Sequence, residues 1–209
     1  MKRARDSARP ARSLPSRIQE HLARYYGLDQ SPAIDDYVRQ ADGAAREELL
    51  IRDDGEGLEV ALHLPRLILE GARPASLDIL CQVLEGVSHF VYVAERARRE
   101  LPATHLELEL QAEIDKYVLL IHAGSAGSHY SPARAAALCA RLFEGVRYAD
   151  PVGTERGDRY RMANSLAARL VGRLEARFAR RGRFDELRAE LRRFYRAGQT
   201  EKIGLARAA

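Results

Sequence analysis

Glu85 and His89 stand four residues apart in the segment LEGVSHF, so a helix would present a carboxylate and an imidazole on one face. That pair can hold a metal ion if a neighbouring helix adds a third donor, and Glu113 is the candidate to do so. A dimetal carboxylate site asks for more. It needs a Glu-x-x-His pair on each of two helices and two further glutamates. The chain contains no Glu-x-x-His, so the metal reading is limited to a single ion on Glu85, His89 and Glu113.

The second chemical feature is a set of arginine rows. Arg169, Arg173, Arg177 and Arg181 recur every four residues, and Arg188, Arg192 and Arg196 do so again. Guanidinium groups on one helical face suit phosphates, which they bind through a planar fork. Arg193, Phe194 and Tyr195 are interleaved with the second row, and Tyr195 could stack on a base. The same ridge could instead pair with the chain's own acids. Helix 105–122 carries Glu107, Glu109, Glu113 and Asp115, and an electrostatic seam between it and the ridge is the expected arrangement.

Other chemistries find no support. There is no Gly-rich loop ending in Gly-Lys-Ser/Thr, no His-Glu-x-x-His, no Cys-x-x-Cys and no Gly-x-Ser-x-Gly. Ser125, Ser128 and His129 lie in a Gly/Ser loop and read as linker rather than nucleophile and base. No cofactor is expected. Apolar runs such as Tyr117–Ile121 are far too short to cross a bilayer, so no membrane partner is expected either.

The charge distribution frames these candidates. Residues 1–24 hold seven basic and two acidic side chains, residues 25–154 hold 12 and 21, and residues 155–196 hold 13 and six. An acidic body thus lies between basic ends, which suits either a polyanion partner or an internal match. Only Lys2, Lys116 and Lys202 are lysines; the other 31 basic residues are arginines. Abundant Ala beside Arg points to a GC-rich coding bias, so the arginine count says less than its spacing. Cys81 and Cys139 sit apart in apolar helical patterns and read as reduced core residues of a cytoplasmic protein.

The elements that must position these groups follow from periodicity. At 209 residues the chain is long enough for one domain with a real core. Residues 1–15 read as a disordered basic tail, and residues 16–197 as a single helical domain with a hairpin-containing part, 16–75, and a helical core, 76–197. Residues 198–209 read as a C-terminal tail. Ser16 is a candidate cap for a helix carrying Ile18, Leu22 and Tyr25, stopped by Gly27. Ser31-Pro32 opens a helical turn through Tyr37 and Val38. Two apolar runs flanking Asp53-Asp54-Gly55-Glu56-Gly57 predict a β-hairpin near residues 48–63.

From Ser76 onward the pattern is helical. Segment 77–101 has Leu80, Val83, Leu84, Val87, Val91 and Ala94 on one face and is broken at Pro102. Thr104 and Glu107 form a capping box for the next helix. Pro132 starts another, to about Glu144. Helix 155–181 carries the apolar stripe Met162, Leu166, Leu170, Leu174 and Phe178 beside the arginine ridge, and Gly182 ends it. Phe184, Leu187, Leu191 and Phe194 predict a last helix, 183–197, folded back as an antiparallel hairpin.

The expected fold class is mainly α: a bundle of about five to seven helices with one small β-hairpin. The expected function is a non-enzymatic interaction or regulatory protein that binds another protein, with self-association through 183–197 as its simplest form. Strand addition at the hairpin edge is the other mode. The alternatives are charge-driven nucleic-acid binding through the arginine rows and a metal-dependent enzyme built on Glu85 and His89.

Overall fold

Ser13 accepts a hydrogen bond from the Ser16 amide and Pro15 lies in the first turn, so α1 (Leu14–Tyr26) begins before the expected cap at Ser16. The computed structural model describes residues 12–28, 31–41, 47–53, 58–65, 74–122 and 130–208. Most of the expected basic tail (1–11), the hairpin turn (54–57) and Ser125, Ser128 and His129 lie outside the described residues. Leu14 and Pro15 belong to α1 rather than to a tail. The buried face of α1 is Ile18, Leu22 and Tyr26, and Gly27 closes it in the left-handed conformation.

The expected hairpin is present as β2 (Glu48–Asp53) and β3 (Leu58–Leu64), paired antiparallel. It gains a third strand. After a 3-10 turn at Ile34–Asp36, residues Val38–Gln40 form β1, parallel to β3, in the order β1-β3-β2. Val38 is thus a strand residue and not helical. Backbone bonds from Leu62 N to Tyr37 O and from Ala41 N to Leu64 O draw this segment onto β3. Leu62 and Leu64 point inward and are fully buried.

Five helices follow the sheet: α2 (Leu77–Arg98), α3 (His105–Tyr117), α4 (Pro132–Cys139), α5 (Glu155–Arg177) and α6 (Phe184–Arg196). The first four are capped by the side chains of Ser76, Thr104, Ser131 and Thr154. Thr104 and Glu107 make both bonds of the capping box. Wider π-type turns extend α3 to His122 and α4 to Glu144. Gly182 adopts φ 70° at the end of the 3-10 turn that follows α5, as its position in the sequence suggests.

A seventh helix corrects the expected C-terminal tail. Residues Gln199–Arg207 form α7, and Lys202 and Ala206 are buried on its inner side. The segment has no strong amphipathic stripe, so periodicity does not reveal it; packing on α5 holds it. Arg173 of α5 donates to the carbonyls of Leu205 and Ala208, satisfying orphan groups at the end of α7.

Packing also corrects the expected α5–α6 hairpin. The α6 apolar face packs mainly on α1, with Tyr195 stacked on Tyr26 at 4.2 Å between ring centres and Arg192 donating to the Tyr25 carbonyl. The stripe on α5 is covered by α3. Contacts of Arg159 with Glu109 and of Tyr117 with Glu175 make α5 run parallel to α3. Met162 alone of the expected stripe is exposed, at 46%. By length and composition α2 could cross a membrane, but here it is the central core helix, flanked by β3, α1 and α3.

Candidate metal centre and arginine faces

Helices α2 and α3 are joined by a short connection and run antiparallel, which decides which acids meet His89. One turn forward on α2 corresponds to one turn backward on α3. Glu85 therefore lies level with Glu113, and His89 level with Glu109. Lys116 bridges the first level, donating to Glu85 at 3.1 Å and to Glu113 at 2.7 Å. At the second level His89 Nε2 lies 3.6 Å from Glu109 Oε2.

The result corrects the expected ligand set. Glu85 and His89 are brought together, but their third partner is Glu109. Glu113 is turned toward Lys116. One donor atom from each of Glu85, His89 and Glu109 lies within 4.8 Å of the other two. Ligand atoms on a shared ion at about 2.1 Å lie about 3.4 Å apart in a tetrahedron. Side-chain rotation of about an ångström would therefore close the set.

The surroundings are unusual electrostatically. The side chains of Glu85, His89, Glu109 and Glu113 are only 8–14% exposed. The charge of Glu47, at the start of β2, also reaches His89. Gly86 permits this approach: a Cβ there would lie 2.9 Å from Leu62 Cδ1 and 3.4 Å from Glu47 Cβ. Against these four carboxylates stand Lys116 and Arg159, the latter 3.9 Å from Glu109.

Burial opposes a charge on His89, yet the Glu109 carboxylate at 3.6 Å and the charges of Glu85 and Glu47 raise its pKa above the ordinary value. Burial raises that of Glu113, with Lys116 pulling the other way. Lys116 is raised well above the ordinary lysine range by Glu113 and Glu85, which outweigh its own burial. Two buried atoms here make no hydrogen bond: His89 Nε2 and Arg159 Nε.

A second polar network lies on the other side of α3, and it contains a residue that periodicity misses. Asp115 accepts from Tyr26 Oη at 2.5 Å, Ser88 Oγ at 2.6 Å and Gln111 Nε2 at 2.8 Å. Lys202 of α7 donates to Gln111 Oε1 at 2.6 Å and to the Phe194 carbonyl at 2.8 Å. Its ammonium lies 4.2 Å from the centre of the Phe194 ring and 5.0 Å from that of Tyr92. Burial pushes this lysine down to about 7, against the pull of Asp115 and Glu107. The one available signal is scarcity. Of three lysines, both within the described residues are buried.

The arginine rows do not form the expected seam with α3. None of the seven row residues pairs with a carboxylate of that helix among the described residues. Arg169, Arg177, Arg181 and Arg196 are exposed, and Arg177 lies over the Phe178 ring at 5.2 Å. Arg173 is bound to α7 carbonyls and Arg192 to the carbonyls of Tyr25 and Arg24. Arg188 lies 5.7 Å from the centre of the Tyr25 ring. The α3 acids meet Lys116, Arg96, Arg159 and the hydroxyls of Tyr26 and Ser88, none of which belongs to the arginine rows.

The second row borders a surface cavity of about 630 Å³, lined by Arg188, Arg192, Arg193 and Arg196 together with Asp185 and Glu201. Tyr195 is 3% exposed and stacked on Tyr26, so it is not free to meet a base.

The expected self-association through 183–197 loses its apolar face. Leu187, Leu191 and Phe194 are at most 1% exposed within the same chain. Each contributes roughly 1.5–3 kcal/mol by staying buried in this way. Comparison with family models, with curated proteins and with solved structures gave no match.

Proposed function

We propose that this chain is a divalent-cation-binding helical protein whose ligands are Glu85, His89 and Glu109. One observation carries the reading: single donor atoms of these three side chains converge within 4.8 Å. The burial of these donors supports it, because the side chains of Glu85, His89 and Glu109 are only 8–14% exposed and a cation held between them would offset the cost of burying two carboxylates. Two carboxylates and one imidazole suit Mn²⁺, Fe²⁺ or Zn²⁺ better than thiolate-seeking metals. Lys116 and Arg159 would hold the ligands Glu85 and Glu109 from behind.

The test is metal analysis of protein purified without a polyhistidine tag, followed by calorimetric titration with Mn²⁺ and Zn²⁺. The expected result is one ion per chain, with affinity reduced at least tenfold by His89→Ala and by Glu109→Gln. Glu113→Gln is expected to bind the ion nearly as well as the parent. Absence of stoichiometric binding, or equal loss in Glu113→Gln, would overturn the assignment.

A second reading rests on the arginine-lined cavity. Its chemistry fits a phosphate backbone, with no sequence readout. Contact with three or four phosphates of a duplex would give a log–log salt slope of roughly −3 to −4. Electrophoretic titration of duplex and single-stranded DNA and RNA at several salt concentrations tests it. Arg193→Glu with Arg196→Glu should abolish binding; no shift with any of them at low salt removes the reading.

A further inference from the structure

Strand β2 is at the edge of the sheet, and among the described residues nothing pairs with its outer side. Exposed edges invite pairing with another chain. This one carries the exposed apolar residues Leu50, at 47%, and Ile51, at 44%. They are two of the five large exposed hydrophobic residues in the described protein. The register with β3 assigns the two faces. Leu49 and Ile51 lie opposite Leu62 and Val60 on the core side, whereas Glu48, Leu50 and Arg52 lie opposite His63, Ala61 and Glu59 on the outer side.

We propose that β2 pairs antiparallel with β2 of a second copy, across a two-fold axis at Leu50, to give a continuous six-stranded sheet. Charge complementarity on the outer face of the strand selects this partner and this register. In the sequence Glu48-Leu49-Leu50-Ile51-Arg52, antiparallel self-pairing centred on Leu50 sets Glu48 against Arg52 of the second copy, twice. On the core face the same register brings Asp53 level with Glu47, whose Cβ is turned inward toward Gly86. Leu50 then faces its own equivalent between the two ion pairs, and Leu49 faces Ile51. A one-residue slip would put the core face of one copy against the outer face of the other. A two-residue slip keeps the faces but sets Glu48 or Arg52 against Leu50. Arg52 is exposed enough to serve: among the described residues its ion pair is a 3.9 Å contact with Glu59, and its side chain is 80% exposed. The contact is isologous, as a closed dimer requires. It uses none of the ligands Glu85, His89 and Glu109 and none of the arginine rows, so it stands apart from the metal assignment.

The test is a charge exchange read by sedimentation velocity from micromolar to millimolar concentration, with circular dichroism as the check on folding. The parent is expected to form a dimer. Glu48→Arg alone and Arg52→Glu alone each set two like-charged pairs across the axis, and each should lower the dimer fraction at least tenfold at fixed concentration. The double variant Glu48→Arg/Arg52→Glu restores both pairs and should recover the dimer. A parent that stays monomeric at millimolar concentration overturns the proposal. So does a dimer that both single variants leave intact, because it would use another surface. Failure of the double variant to recover, with its fold intact, overturns the register.

Discussion

Lys202 provides the sharpest test of the tertiary structure, because it turns burial into a dependence of stability on pH. Its ammonium has no exposure, and burial lowers it from the ordinary 10.5 to about 7. Asp115, Glu107 and Glu201 act to raise it and Arg96 to lower it. Between those two values the unfolded chain holds a proton on this lysine and the folded chain does not. The unfolded state binds more protons, so stability must rise with pH across the window. A displacement of three to four pH units corresponds to about 4–5 kcal/mol in total, of which about 2 kcal/mol falls between pH 7 and pH 9.

Lys202→Met keeps the volume nearly constant and removes the titration. Urea unfolding of parent and variant at pH 7, 8 and 9 yields the slopes. The difference between them isolates Lys202, since His89 and the buried tyrosines contribute equally to both proteins. The expected outcome is a parent that gains about 2 kcal/mol more than the variant from pH 7 to pH 9. Equal slopes would refute the reasoning: Lys202 would then stay charged in the fold, with Asp115 and the ring faces overcoming its desolvation.

Two further perturbations probe the local structure. Gly157 sits in the first turn of α5, where a Cβ would lie 2.1 Å from the Pro151 carbonyl oxygen, so Gly157→Ala must displace that turn. A loss of about 1–3 kcal/mol is expected in thermal or urea unfolding, and an unchanged midpoint would contradict the close approach. Thr104→Ala removes the acceptor for the Glu107 amide in the α3 capping box and should cost about 1 kcal/mol by the same measurement.

How much of the site is legible in the sequence depends on how local each relation is. The four-residue spacing of Glu85 and His89 is a helical property, and the structure keeps the two on one face. The choice between Glu109 and Glu113 is not local. Both lie on one face of α3, and only the antiparallel level at which α2 meets α3 selects Glu109 for His89. Arginine spacing likewise places the rows correctly on helices, but not their partners. The α3 acids already meet Lys116, Arg96, Arg159 and the hydroxyls of Tyr26 and Ser88, which come from four different helices.

By itself, the sequence determines what is decided within a turn or two of chain. That includes the mainly helical class, the hairpin, the Thr104–Glu107 cap, the stop at Gly182 and the inward faces of α2 and α5. Hydrogen bonds and side-chain spacing over three or four residues are enough for these. Only the tertiary structure decides the rest: β1 drawn onto β3, α6 packed on α1 rather than back along α5, α7 in place of a tail, and Lys202 at the centre of the core. These depend on which apolar faces and buried charges meet across 20 to 170 residues of chain. Such meetings are set by the best joint burial of all the elements, a property no single segment carries.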